Sequence, residues 1–325
     1  MKAAVVTAYG APEVLRVKEV EKPTPKPNEV LIKVHAASAT TADGMMRKGD
    51  PFFARLFLGL LKPKSAIPGT GFAGTIEEVG DAVKEYRPGE AVFGETSMSF
   101  GANAEYVCVP EDGILLRKPG NITFEEAAPV CDGAVTSMNF LREIGKIKAG
   151  QRVLINGASG SLGTAAVQLA KHFGAEVTGV CSQKNAELVR SLGADHVIDY
   201  NQTDFTKNGE TYDIIYDTLG ISSFSKCKSS LSPEGVYLSP VLALPLLFQM
   251  LWTSKFGRKK AKFSATGLLP VPELRLLFKD IKELMKTGQL VSVIDRRYSL
   301  AEVVEAYRYV DTGHKKGNVV LSIYS

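Results

Sequence analysis

Three evenly spaced glycines carry the clearest chemistry in this chain. Gly157, Gly160 and Gly163 stand in VLINGASGSLG (153–163), directly after a short apolar run and at the head of a stretch with helical spacing. Glycines at such a junction permit a tight turn, let backbone N–H groups approach a pyrophosphate, and let the following helix pack closely on a sheet. The start of that helix, at Ser161, Leu162 and Gly163, points its partial positive charge at the phosphates. The pattern predicts a dinucleotide site. About twenty residues further on, a carboxylate usually accepts from an unphosphorylated ribose 2′-OH. Here that segment reads VCSQKN (180–185), with no acid. Ser182 offers a hydroxyl and Lys184 a positive charge, both suited to a 2′-phosphate that a carboxylate would repel. The dinucleotide expected is therefore NADPH.

Other chemistries are poorly served. A catalytic zinc needs about three protein ligands of N, S or O type plus an open position. His35, His172, His196 and His314 are scattered with no i, i+4 pair, and Cys108, Cys131, Cys181 and Cys227 form no C-x-x-C pair. No metal site is expected. No Ser-His-Asp set or carboxylate dyad stands out by spacing. Four dispersed cysteines in a chain of this size read as reduced thiols, which points to the cytoplasm. The net charge of +4 is too small and too dispersed for a nucleic-acid partner. The opening MKAAVVTAYG lacks the sustained apolar run of a signal peptide.

Two kinds of element must hold these residues. A chain of 325 residues exceeds what one hydrophobic core usually supports, so two domains are expected. Hydrophobic residues at 45% and charged residues at 23% give an ordinary globular balance. Runs at 2–7, 29–35 and 104–109 are short, β-branched or aromatic, and bounded by Gly or Pro, as strands are. At Thr123 the pattern changes, because Thr123 with Glu126 three positions on has the spacing of a capping box. Strands at 152–155, 176–181, 196–198 and 213–217 then alternate with helices at 161–173 and 185–192. Such alternation predicts a parallel sheet covered on both faces. The tail has helical spacing at 271–286 and 300–310 and ends in a strand at 318–323.

The most apolar stretch is 238–252, which Pro240 and Pro245 interrupt. That leaves about half of the ~20 residues a spanning helix needs. Lys255, Arg258, Lys259, Lys260 and Lys262 follow it. A buried helix or pocket cover with a solvated basic edge is expected. The competing reading is peripheral contact of 238–262 with a membrane surface.

Several motifs combine into a resemblance. They are PGTGFAGTIEEVG (68–80), RPGEAVFG (87–94), LGADHVIDY (192–200), YDIIYDTLG (212–220) and GHKKGNVV (313–320), together with the glycine turn. In combination they resemble the medium-chain dehydrogenase/reductase superfamily, in its zinc-free quinone oxidoreductase (zeta-crystallin-like) branch. The resemblance implies an α/β protein: a GroES-like β domain over 1–122 and 265–325, and a doubly wound Rossmann domain over 123–264. It implies that Thr136 approaches the nicotinamide, that Tyr200 assists at the 2′-phosphate, and that Leu219, Ser239 and Val241 line the cofactor. It also implies a homodimer paired through the Rossmann sheet. Zinc-dependent relatives place a Cys early, a Gly-His-Glu, and a four-Cys lobe. The matching positions here are ASATTAD (37–43), Gly69-Thr70-Gly71 and a Cys-free 95–103. Many members have Lys where this chain has Asn318.

What remains is hydride transfer to an acceptor that carries its own electron sink. An NADPH-dependent reductase of a quinone or an α,β-unsaturated carbonyl is expected. The alternatives are a reductase of another activated double bond, such as an enoyl thioester, and a non-catalytic NADPH-binding protein. Relatives often carry Asn and Tyr on the loop matching TTADGMMR (40–47), where this chain places Thr40 and Met45. Thr40 is the candidate for a bond to the substrate oxygen. Met45, Phe93 and Met98 are the expected apolar lining for a flat, electrophilic small molecule.

Overall fold

The computed structural model describes residues 1–50, 52 and 55–324. The chain divides into two compact units, one of 1–132 with 270–325 and one of 133–269.

The first unit is built on the strand Glu29–Ala39, which is longer than the apolar run alone suggests. Its two halves take different partners on one edge. Glu29 to Lys33 pair with Tyr106–Pro110, and Ala36 to Ala39 pair with Asn318–Ser322, both antiparallel. The tail thus returns to the sheet that Glu29–Ala39 begins. On the other edge Gly71–Val79, Ala91–Glu95 and Ile114–Arg117 follow in antiparallel order. The core is a cluster of buried aliphatic side chains with Phe72, Tyr86 and Tyr307.

The expected boundary at 122/123 lies ten residues before the observed one, at 132/133. The Thr123 capping box forms: Glu126 N–H donates to Thr123 Oγ at 3.2 Å, and Thr123 N–H donates to the Glu126 carboxylate at 2.7 Å. The short helix Phe124–Ala127 that it starts packs on the strands of the first unit, and Glu125 accepts from Ser322 Oγ and from Arg297. A change of secondary structure therefore precedes the change of unit.

In the second unit, among the described residues, six parallel strands form one sheet. Their spatial order is His196–Asp199, Glu176–Cys181, Arg152–Asn156, Tyr212–Asp217, Leu231–Ser239 and Lys260–Phe263. In chain order that is 3-2-1-4-5-6, the doubly wound dinucleotide-binding arrangement. The strand cores, such as Val153-Leu154-Ile155, are apolar without alternation because both faces are covered. Helix Ser161–His172 is buried nearly all round, through small residues that let helix Gly133–Met138 pack against it.

Candidate cofactor-binding and active site

The strand order reverses between Arg152–Asn156 and Tyr212–Asp217. Ligands of such sheets bind outside the carboxyl ends of the strands at this switch point. Asn156 and Asp217 end the two strands as register partners, and Asn156 Nδ2 donates to Asp217 Oδ1 at 2.9 Å. The fully buried Asp217 also accepts from Ser222 N–H at 2.8 Å and Tyr237 Oη at 2.9 Å. That bonding fixes the loop carrying Thr218 and Leu219, and burial beside Asp217 holds the Tyr237 phenol well above its ordinary range.

The three glycines differ in what demands them. Gly157 has φ +82°, and a Cβ there would lie 2.7 Å from Leu219 Cγ and Thr218 Oγ1. At Gly163 a Cβ would come 2.1 Å from Gly157 O, so helix and turn could not meet. At Gly160, which has φ −81°, an added Cβ meets only Gly157 O at 3.6 Å. Fold geometry requires the outer two; open space in front of the turn is what the middle one keeps clear. No side chain caps helix Ser161–His172 at Gly160, which leaves the first turn's N–H end available to an anion.

Ser182 and Lys184 follow strand Glu176–Cys181. Ser182 is half-buried and caps nothing with its side chain. Lys184 is exposed and has no ion-pair partner among the described residues. Tyr200 N–H donates to Cys181 O at 3.2 Å, so Tyr200 sits at the same sheet edge, 58% exposed. The neighbouring Asp199 carboxylate is taken up by Asn201 N–H and Nδ2, each at 3.0 Å. Asn185, which sequence reasoning passed over, ties this corner to the glycine turn: its Nδ2 donates to Ser159 Oγ at 3.0 Å. An Asn opening a helix after a strand was the available signal.

Of the remaining residues expected around the cofactor, Leu219, Ser239 and Val241 lie at or just past the carboxyl ends of their strands. Val241 packs on Gly220, whose φ is +64° and where a Cβ would stand 2.5 Å from Val241 Cβ. Ser239 is buried, and its Oγ accepts from Val241 N–H at 3.3 Å. Thr136, half-buried, sits on helix Gly133–Met138, where Ser137 Oγ donates to Leu162 O at 2.9 Å.

The substrate-side residues fare differently. Thr40 is the N-cap of helix Thr41–Lys48: its Oγ accepts from Asp43 N–H at 3.0 Å and donates its only proton to Asp43 Oδ2 at 2.8 Å. It is 4% exposed, and a bond from its hydroxyl to a substrate oxygen would have to replace the one to Asp43 Oδ2. The expectation for Thr40 is corrected on that ground. Phe93 is corrected as well, because it is fully buried in the β core, its ring centroid 6.2 Å from that of Phe278. Met45 and Met98 are exposed.

What the sequence reading missed in the first unit is a buried polar set. Asp43 Oδ2 also accepts from Thr40 N–H and Tyr307 Oη, while Asp43 Oδ1 has no partner. Burial pushes this carboxyl up to about 6, against the hydrogen bonds from Thr40. Glu95 is pushed higher, to about 8, by burial first and then by Asp132 and Asp43. Its cross-strand partner is Gly71, where a Cβ would lie 2.3 Å from Cys131 Sγ and 2.6 Å from Ser38 Oγ. The thiol and hydroxyl thus fill the place of a side chain at position 71, and burial raises the Cys131 thiol well above its ordinary range. The T-x-x-D spacing from Thr40 to Asp43 is itself a capping-box signature. Among the described residues no group of three His, Cys, Asp or Glu side chains is placed to hold a metal ion.

Comparison with known proteins bears on this arrangement. The alcohol dehydrogenase GroES-like domain family matches residues 26–120, and the zinc-binding dehydrogenase family matches residues 192–321. A mitochondrial NAD(P)H oxidoreductase of Bos taurus is 32% identical, over 99% of this chain and 89% of its own length. A trans-enoyl reductase of Aspergillus terreus is 30% identical over 91% of this chain and 87% of its own. The crystal structure of the quinone oxidoreductase from Coxiella burnetii superposes with a TM-score of 0.88 at 28% identity, covering 100% of this chain and 99% of that one. Together with a GroES-like β unit and a 3-2-1-4-5-6 parallel sheet, these likenesses establish that the chain belongs to the zinc-free, quinone oxidoreductase-like branch of the medium-chain dehydrogenase/reductase superfamily.

Proposed function

We propose that this oxidoreductase uses NADPH to reduce a quinone or an α,β-unsaturated carbonyl, and that it works without zinc. The observation that carries the reading is the sheet edge around the glycine turn. Gly160 keeps space open in front of an uncapped helix start, and Ser182 and Lys184 stand free of carboxylate partners at the neighbouring strand end. The residues fit the cofactor: Gly157, Gly160, Ser161, Leu162 and Gly163 would hold the pyrophosphate, and Ser182, Lys184 and Tyr200 the 2′-phosphate. Thr136, Leu219, Ser239 and Val241 would line the nicotinamide half. NADPH, when bound, supplies the hydride.

The chain's own part is to bind, orient and exclude. A quinone or enone needs no metal to hold a departing proton, because the acceptor delocalises the incoming charge. With the Thr40 proton committed to Asp43, we assign protonation of the product to water. The likeness to a trans-enoyl reductase favours a second reading, reduction of an enoyl thioester. We further propose a homodimer through the edge strand Lys260–Phe263, which is paired on one side only, and a cytoplasmic location, which the four free thiols support.

The test follows cofactor consumption over a panel of quinones, enones, enoyl thioesters and simple alcohols, with NADPH and NADH, before and after chelation. Quinone or enone turnover that prefers NADPH and survives chelation is expected. For Lys184→Ala, kcat/KM for NADPH should fall roughly 5- to 30-fold with NADH unchanged, the magnitude of about 1–2 kcal/mol for one charge-assisted contact at an exposed site. Turnover of enoyl thioesters alone selects the second reading. Equal use of both cofactors, or alcohol oxidation that chelation abolishes, rejects the proposal.

A further inference from the structure

The stretch expected to be a buried helix or pocket cover is an exposed apolar helix. Pro245 does not break it; it stands in the first turn of helix Leu244–Lys255, where its missing N–H costs nothing. The apolar stripe of a surface helix normally faces the core. Here Leu244, Phe248, Leu251 and Trp252, at helical spacings of four, three and one, are 73%, 72%, 69% and 67% exposed. The inner side is held by buried Leu246 and Thr253, with Thr253 Oγ accepting from Ala261 N–H at 3.1 Å and Gln249 Nε2 donating to Ser225 Oγ at 2.9 Å. The helix is thus anchored on the edge strand Lys260–Phe263 with its apolar side turned outward.

Charge says what covers that face. From Pro240 to Pro272 the sequence has no Asp or Glu, but it has Lys255, Arg258, Lys259, Lys260 and Lys262. Lys255 and Arg258 are exposed, and none of the five has a carboxylate partner among the described residues. Lys259, Lys260 and Lys262 donate to the backbone carbonyls of Lys228, Thr253 and Ile144. Trp252 and Phe256 pair at 4.8 Å between ring centroids at the basic end, in the manner of aromatic residues that sit at headgroup level. The edge strand Lys260–Phe263 is the place proposed for a second copy; the outward face of the helix carries the exposed Lys255 and Arg258, for which the segment from 240 to 272 supplies no carboxylate.

We propose that helix Leu244–Lys255 docks the protein on a bilayer carrying anionic lipid, seating Leu244, Phe248, Leu251 and Trp252 among the acyl chains while Lys255 and Arg258 meet the headgroups. The helix lies in the interface and does not cross it: 12 residues span roughly 18 Å against a hydrocarbon core of about 30 Å. Among the described residues no helix is long and apolar enough to cross a membrane.

Trp252 is the only tryptophan of the chain, so its emission reports this face alone. The full-length protein is titrated with vesicles of phosphatidylcholine and of phosphatidylcholine mixed with phosphatidylserine, and co-flotation is measured in parallel. A blue shift with flotation on the mixed vesicles, weakened by salt, is expected. Lys255→Glu/Arg258→Glu should weaken that binding roughly tenfold or more, since each basic residue contributes about fivefold at an anionic surface. Phe248→Asp/Leu251→Asp should abolish flotation while circular dichroism and thermal melting stay as in the wild type. Wild-type protein that floats with neither vesicle overturns the proposal. So does a Trp252 shift that follows protein concentration and not lipid, with a sedimentation mass that halves in Phe248→Asp, which assigns the face to a second copy.

Discussion

The glycine turn at 157–163 and the loop at 40–47 are both expected to touch small molecules, yet they encode a site in opposite ways. At the turn, the groups proposed to face the ligand are backbone N–H groups, and the sequence needs only to keep side chains out of the way. The spacing of three glycines between a strand and a helix does that wherever it occurs. At the loop, the chemistry depends on one hydroxyl, and the value of a hydroxyl depends on who takes its proton. Asp43, three residues on, takes it from Thr40. Spacing alone can propose a backbone-built site, while a side-chain-built site can be proposed only when every local competitor for a hydrogen bond has been counted.

The largest expected effect tests the backbone half of that contrast. Gly163→Val should abolish NADPH binding, measured by calorimetry, and lower the melting temperature, since even a Cβ meets Gly157 O at 2.1 Å. Gly160→Ala should leave stability within about 0.5 kcal/mol of wild type, as surface changes do, yet weaken NADPH binding, because the added methyl enters the open space that the proposed cofactor would occupy. Unchanged binding in Gly160→Ala would break the comparison at its stronger end.

A smaller effect, at most about 5 kcal/mol, concerns Glu95. Its carboxyl rises from an ordinary 4.5 to about 8 in the folded chain. The folded state then holds a proton that the unfolded state releases, so the contribution to stability is fully present below about 4.5 and is lost as pH climbs to about 8. Glu95→Gln should flatten the dependence of melting temperature on pH across that window and raise stability at its alkaline end. A wild-type profile that already lies flat there would mean that Glu95 is solvated.

The smallest effect sharpens the side-chain half. Thr40→Val removes an N-cap and should cost about 1 kcal/mol of stability by denaturant titration, with kcat and KM little changed under conditions where the variant is folded. A fall in kcat at unchanged stability would return Thr40 to the chemistry and erase the distinction between the two sites.

Much of the second unit was legible in advance. The strands at 176–181 and 213–217 and the helix from Ser161 follow from apolar runs and glycine punctuation, and parallel strands buried on both faces have few other ways to pair. Phe93 shows where such reading stops. It lies in an RPGEAVFG motif and reads as a pocket aromatic, but in strand Ala91–Glu95 its place on the inward face against Phe278, almost two hundred residues later, is set by how sheet and tail meet.

By itself the sequence determined the local matters: the turn that keeps side chains clear of the helix start at Ser161, the want of a carboxylate after strand Glu176–Cys181, the capping boxes, and the absence of metal-ligand spacing. These depend on residues within a few positions of one another, where covalent geometry fixes the outcome. Tertiary structure alone decided that Asn318–Ser322 closes the β sheet on Ala36 to Ala39, that Cys131 fills the place of a side chain at Gly71, and that helix Leu244–Lys255 shows Leu244, Phe248, Leu251 and Trp252 to solvent. Those outcomes depend on which distant surface arrives first at a given face, and burial, which sets both the Glu95 proton and the fate of an apolar stripe, is a property of the packed chain and not of any segment of it.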